Sequence, residues 1–407
     1  MRGFELAAIE SPPTNYLDNG KNSEAHDAVL DLEITANRPD CLSIIGIARE
    51  IATAYNLPFK RTDETSANTI STFKLAVEES TELAIELEDP NLCPRYAATI
   101  VESTKTTSPE WMTYRLLSSG IRPINPIVDI TNYVLIELGH PIHAFDLDRL
   151  IDCKLRIRLS EEGESITTLD GEQRKLTKEM LVIADAEQAQ AVAGVMGGAN
   201  SEVETGTKRV VFESAYFDPT SVRKTSKRLG LKTEASSRFE RGADINAPVI
   251  ALERACGLLL QLGAGQPRGQ VIDRYPEERR PLSIALRQSR INLILGKQID
   301  SSEVNKTLTG LGFELSQSKI ESNLIYDVQV PTRRVDISRE IDLIEEVGRC
   351  HGYDQLPSTF PSLAQPTPRP DPKIEQDRLL RRILTAGGFS EAATFTFIEK
   401  KQSFYWK

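Results

Sequence analysis

RVVFESAYFDPTSVRKTSKRLGLKTEASSRFERG, residues 209–242, joins three kinds of sequence in close succession. Arg209–Phe212 is a β-branched and aromatic run that reads as strand. Glu213 follows among Val210, Val211, Phe212, Ala215, Tyr216 and Phe217, an apolar setting in which a carboxylate is costly unless it has a partner. From Ser221 to Gly242 there are seven basic residues (Arg223, Lys224, Lys227, Arg228, Lys232, Arg238, Arg241) against two acidic ones, Glu234 and Glu240. A solvated basic face is the simplest reading of such a run. Beside a buried carboxylate it is also the kind of strip that RNA phosphates need.

Outward from this stretch, strand-like runs fall at Tyr96–Val101, Leu155–Leu159 and Leu181–Ala184, and helical spacing at Pro109–Leu117 and Pro248–Leu262. The order lacks a regular βαβ alternation, so the fold class is α+β. On the N-terminal side, Val29–Ile34 alternates as a half-buried strand, and Leu42, Ile45, Ala48, Ile51 and Ala52 have helical spacing up to Asn56. Residues 11 to 26 are polar and turn-rich. On the C-terminal side, joints at Gly263–Arg268 and Tyr275–Pro281 precede helical Arg287–Leu295 and Ser301–Leu311, a strand at Tyr326–Val330, and an amphipathic helix at Val335–Cys350. Leu356–Lys373 is a Pro-rich linker. Glu375–Ala386 reads as a helix stopped by Gly387-Gly388, with a strand candidate at Ala392–Ile398.

The 407 residues carry 49 Lys+Arg against 59 Asp+Glu, a net charge of −10, which argues against indiscriminate binding to nucleic acid. No apolar stretch is long enough to cross a bilayer and the first residues lack a secretory pattern, so a cytoplasmic setting with no membrane partner is expected. Five dispersed cysteines without CxxC pairing read as reduced thiols. Neither a phosphate loop nor GxGxxG, GxSxG or HExxH occurs.

Three further clusters could carry chemistry. NPIVDITNYVLIELGHPIHAFDLD, Asn125 to Asp148, sets Thr131, Asn132 and His143 near the ends of an apolar run, as polar groups at a pocket mouth would be. AVAGVMGGANSEV, Ala191 to Val203, has Gly194, Gly197 and Gly198, which let backbone approach a ligand, or simply turn between two strands. On the helix at Val335–Cys350, Ile337, Ile341, Ile344 and Gly348 form the inward stripe. Asp342, Glu345 and Glu346 share a face, with Asp336 about a turn and a half earlier. Crowded like charges call for a hard cation or a basic partner, or belong to a solvated acidic face.

These segments, with KTEASSRFERGAD, VPTRRVDISREIDLIEEVGRCHGYD and DLEITANRPDCLSIIGIARE, stand in the order found in bacterial-type phenylalanine–tRNA ligase β subunits, which the chain resembles over nearly its whole length. The resemblance implies a chain lacking both ends of that subunit. Residues 1–80 would be a remnant of its first (B1-type) domain, and 91–263 a B3/B4-type editing domain that hydrolyses mischarged tyrosyl-tRNA(Phe). Residues 282–357 would be a helix-turn-helix-like B5-type domain, 358–374 a linker, and 375–407 the start of a catalytic-like domain. In the editing domain the resemblance implies that Glu213 accepts the tyrosine phenolic proton. The backbone around Ala193, Gly194 and Gly197 would hold the aminoacyl group, and Thr131, Asn132 and His143 would lie near the ester and terminal adenosine. Thr233 and Ala235 would shape the wall. By its ordinary pKa His143 is the natural base candidate. Asp336, Asp342, Glu345 and Glu346 would hold Mg2+ at the contact with the α subunit. That α subunit would carry the aminoacylation site, consume ATP and charge tRNA(Phe) in an (αβ)2 assembly. No DNA partner is expected. The alternative is a non-catalytic fragment that binds RNA or a partner.

Overall fold

The computed structural model describes residues 5–10, 28–59, 73–104, 107–204, 206–320, 323–358 and 371–393. The expectations for residues 11 to 26, for most of the Pro-rich linker and for nearly all of Ala392–Ile398 lie outside these residues.

Two sheets and a layer of helices make the central domain, and the α+β expectation holds. One sheet has the order Ala76–Val77, Gln270–Arg274, Arg95–Ser103, Arg209–Tyr216, His143–Asp146, with Gly265–Pro267 also pairing with Arg95–Ser103. The other runs Met196–Gly197, Ala189–Val192, Leu181–Ala184, Lys154–Leu159, Ala84–Leu87. The strand Arg209–Tyr216 is buried on both faces, so its side chains divide by parity. Val211 and Ala215 pack between the sheets with Tyr96, Ala98, Ile157 and Val192. Val210 and Phe212 pack on the opposite face with Ile130, Val134 and Leu252 from the helices Pro126–Leu138 and Ala247–Gln261. Glu213 shares the parity of Val211 and Ala215, and its carboxyl is therefore directed between the sheets.

Before this domain, Glu5–Glu10 pairs with Val29–Glu33, and the helix Ile44–Tyr55 starts at Ser43, whose hydroxyl accepts the Gly46 N–H, and stops at left-handed Asn56. After it, Leu282–Arg287, Asn323–Val330 and Glu314–Ile320 form a three-stranded antiparallel sheet. That sheet packs against the helices Gln288–Leu295, Ser301–Gly310 and Glu340–His351 around Leu286, Ile291, Leu308, Tyr326 and Val347.

The last of these helices corrects a sequence reading. It begins at Glu340, not near Val335, because the Asp342 carboxylate accepts the backbone N–H groups of Ser338 and Arg339 (2.9 and 2.8 Å), which sets the first turn. Of the expected inward stripe, Ile337, Ile344 and Gly348 are buried, joined by Leu343 and Val347, while Ile341 is 41% exposed. Residues 357–407 form a separate unit whose described part is the helix Pro372–Ala386, capped by Asp371 and ended at Gly387.

Candidate active site

Between the two sheets and the helix Pro126–Leu138 lies a cavity of about 240 Å³. Thr131, Asn132, His143, Gly194, Gly197, Glu213, Thr233 and Ala235 all line it. Ala193 does not. Its N–H donates to the Leu181 carbonyl (3.1 Å) and its methyl packs into the core between the sheets, behind the wall.

Each lining residue is placed by its element. Glu213 and His143 are direct cross-strand partners, so their side chains leave the sheet on the same face. Asn132 and Leu135 are one turn apart on the helix Pro126–Leu138, which Asn125 caps through the Val128 N–H (3.0 Å). The Thr131 hydroxyl donates to its own helix at Val128 O (2.8 Å), leaving acceptor lone pairs. Thr233 is a clamp: its hydroxyl caps the helix Glu234–Phe239 through Ser236 N (3.0 Å) and donates to Val195 O (2.8 Å). Val195 sits in the glycine turn, so the clamp ties that turn to the opposite wall.

The two glycines are needed for different reasons. Gly194 has φ +67°, a left-handed conformation that disfavours any side chain. At Gly197 a Cβ would lie 2.4 Å from Cε1 of His143, so the imidazole occupies the space a side chain would take. Phe217 and Phe239, edge to face at 5.2 Å, complete the apolar lining. Both lie inside the segments singled out from sequence. Nothing in the local pattern separated them from ordinary core aromatics.

Burial sets the protonation states. Glu213 is 5% exposed, and burial pushes its carboxyl up to about 8. No cation lines the cavity among the described residues, so at neutral pH Glu213 is mainly the neutral acid, able to donate one hydrogen bond and accept others. Burial lowers His143 to about 4. Its imidazole is neutral at pH 7, which leaves a nitrogen lone pair free to accept but makes it a weak base.

The acidic residues expected to hold magnesium are distributed differently. Asp336 accepts two hydrogen bonds from Arg334 (2.9 and 2.8 Å), and Glu346 accepts from Arg334 (2.8 Å) and Arg349 (2.9 Å). Asp342 is the helix cap described above, and Glu345 is exposed. Burial alone would raise Glu346, but Arg334 and Arg349 hold it down at about 2. A cation bound by all four would have to displace guanidinium groups already in place, so the set does not fit Mg2+ as arranged. The described residues that do bring ligand atoms together are Asp40, Cys41 and Glu50. There the Arg38 guanidinium bonds all three (2.9, 3.1 and 2.5 Å) and takes the place a metal would have. Arg349 also reaches Glu50 (2.8 Å), so one buried ionic network links residues 38–50 to residues 334–349.

Two family models match: the B3/4 domain over residues 92–264 and the tRNA synthetase B5 domain over residues 284–353. The B3/4 span contains the whole cavity, and the B5 span contains the helix Glu340–His351. Together they define the class, a protein built from synthetase-type domains. The phenylalanine–tRNA ligase β subunit of Geobacter metallireducens is 42% identical over 91% of this chain and 45% of its own length. That of Carboxydothermus hydrogenoformans is 41% identical over 97% and 48%. The chain belongs to the phenylalanine–tRNA ligase β-subunit family and spans about half the length of these relatives. A solved N-terminal fragment of the phenylalanyl-tRNA synthetase β subunit from Pyrococcus horikoshii matches at TM-score 0.43 and 17% identity, covering 86% of this chain and 92% of that one, too loosely to argue from.

Proposed function

We propose that the cavity hydrolyses tyrosyl esters of tRNA(Phe), removing the amino acid that phenylalanine charging admits by mistake. The observation that carries this reading is Glu213, a buried, neutral carboxyl facing a cavity in which no cation lies among the described residues. A phenol reaching it satisfies both partners, whereas a phenylalanine ring would cover the carboxyl and leave it unpaired, at a cost of about 1–3 kcal/mol. Synthesis and clearance therefore select in opposite directions. A pocket shaped for a phenyl ring rejects an added hydroxyl only weakly, and a site built to bond that hydroxyl rejects its absence strongly.

In the hydrolysis, water adds to the ester carbonyl and the ribose oxygen leaves with a proton, giving free tyrosine and intact tRNA. The left-handed glycine turn brings backbone close to the aminoacyl group. Asn132 and the neutral His143 are the groups that orient the water and the ester. With His143 lowered to about 4, its part is to position by hydrogen bonding more than to abstract a proton. Within a larger cytoplasmic assembly the chain would serve an α subunit that performs ATP-dependent charging, as an (αβ)2 complex.

The test is deacylation of tyrosyl-tRNA(Phe) and phenylalanyl-tRNA(Phe) by the purified chain. Selective release of tyrosine, lost in Glu213→Ala, is the expected result. Equal treatment of tyrosyl-tRNA by the wild type and the variant would remove the reading.

A further inference from the structure

The helix Pro219–Leu229 divides sharply between its faces. Val222, Thr225 and Ser226 are buried, with Leu229 partly so, while Arg223, Lys224, Lys227 and Arg228 are exposed on the opposite side. At 3.6 residues per turn these are two coherent stripes, one of them wholly cationic. Lys232 continues the exposed stripe past the Gly230 cap. Arg223, Lys224, Lys227 and Lys232 form no ion pair among the described residues, and Arg228 has only Glu179 at 3.5 Å. In a chain of net charge −10, such a stripe of mutually repelling cations lacks local compensation.

The inner face of this helix packs behind the pocket wall, where Val222 lies against the cavity-lining Gly194. A Cβ on Gly194 would lie 3.0 Å from Val222. The chain leaving the helix is pinned by Leu231 N to Ser226 O (3.0 Å) and reaches the Thr233 clamp two residues later. On the outer side a groove of about 720 Å³ is lined by Lys224, Lys227 and Arg228 together with the hydroxyl-bearing Thr177, Thr220 and Ser221. Two acidic side chains also line it. Asp218 is engaged as the helix cap at Ser221 N (2.8 Å), and Glu179 is the partner of Arg228.

We propose that this groove and the cationic stripe form the seat for an RNA backbone, holding phosphates of the acceptor stem while the 3′ end enters the cavity on the far side of the same helix. The proposal rests on the editing reading and names the surface that serves it. Cations and hydroxyls are the groups that bind phosphate and sugar without reading sequence. A helix that lines the groove and packs directly behind the Gly194 wall of the cavity would fix the distance between stem and ester.

The experiment uses the full chain and uncharged tRNA(Phe) transcript, so its outcome does not depend on ester hydrolysis. Four phosphate contacts give an affinity that falls on the order of a hundredfold between 50 and 200 mM salt. The combined variant Arg223→Ala, Lys224→Ala, Lys227→Ala, Lys232→Ala should lower the log–log salt slope by about 3–4 and weaken binding at least about tenfold at low salt. Lys224→Arg with Lys227→Arg keeps the charge and should retain the affinity. All four residues in the alanine set are exposed, so melting behaviour should match the wild type. Unchanged affinity and slope in the alanine variant would overturn the proposal, as would absence of tRNA binding by the wild type. Tighter binding of polyglutamate than of RNA would overturn it in favour of an acidic protein partner.

Discussion

Replacing Glu213 with glutamine should stabilise the protein, and by an amount that grows with pH. The Glu213 carboxyl sits at about 8 in the folded chain, against an ordinary value of 4.5, because burial removes its hydration and no cation replaces it. The folded state therefore binds its proton more tightly than the unfolded state does. Its contribution is fully present below about pH 4.5 and is lost as pH rises through 8. Linkage gives a penalty relative to a permanently neutral side chain of about 1 kcal/mol at pH 5, about 3 kcal/mol at pH 7 and nearly ~5 kcal/mol at pH 9. Glutamine has the same shape and no titration, so the variant's advantage should follow that curve. Urea unfolding of both proteins at pH 5, 7 and 9, compared as differences, isolates this group from every other titration. A difference that stays flat with pH would show that Glu213 is solvated or paired in the folded protein. The same result would withdraw the neutral acid from the proposed selection of tyrosine. An advantage in stability joined to loss of tyrosyl-tRNA deacylation would place the residue among those kept for chemistry at the expense of stability.

Gly197→Ala should abolish ester hydrolysis with the fold retained, because its Cβ would stand 2.4 Å from the His143 ring; deacylation rate and the imidazole NMR shifts report both effects. Thr233→Val removes the helix cap and frees the Val195 carbonyl, and a loss of about 0.5–2 kcal/mol is expected in denaturant unfolding. Arg334→Met leaves the buried Glu346 and the half-buried Asp336 without their shared partner, a loss of about 3–5 kcal/mol by the same assay. Glu346, held at about 2, gives stability that is present above about pH 4.5 and lost as pH falls through 2. An acid titration of Glu346→Gln should therefore lack part of the wild-type decline.

The elements that sequence located well are those whose burial pattern is carried by their own residues. Leu181–Ala184 is apolar throughout and buried on both faces, and the helical spacing over Pro248–Leu262 falls on the helix Ala247–Gln261, with Pro248 in its first turn. Glu314–Ile320 reads ELSQSKI and was not recognisable as strand. Its pairing with Asn323–Val330, not its own composition, makes it one. The strand at Arg209 runs on to Tyr216, past the polar Glu213 and Ser214, because Arg95–Ser103 pairs with it along its full length. In the cavity, the polar and glycine residues stood out because their chemistry is unusual for their setting. Phe217 and Phe239 did not, since an aromatic lining a pocket and one filling a core have the same local sequence.

Glu213 and Glu346 are equally buried carboxylates with opposite solutions, and the contrast bears on where each domain does its work. Glu346 meets two arginines and belongs to a network that runs through Arg349 and Glu50 to Arg38 and Asp40. Every carboxylate in it has a guanidinium partner, so it fixes residues 38–50 against residues 334–349 and leaves no charge seeking a ligand. The acidic pattern visible in the sequence was real, but its compensation comes from Arg334, six residues before the helix, together with Arg349 within it. Among the described residues Glu213 has no such partner, and the cavity in front of it is the space where one could enter. A charge-balanced network restrains, while an uncompensated buried carboxyl recognises. By that criterion the proposed recognition of tyrosine belongs to the cavity between the two sheets of the central domain, while the network around Glu346 holds residues 38–50 against residues 334–349.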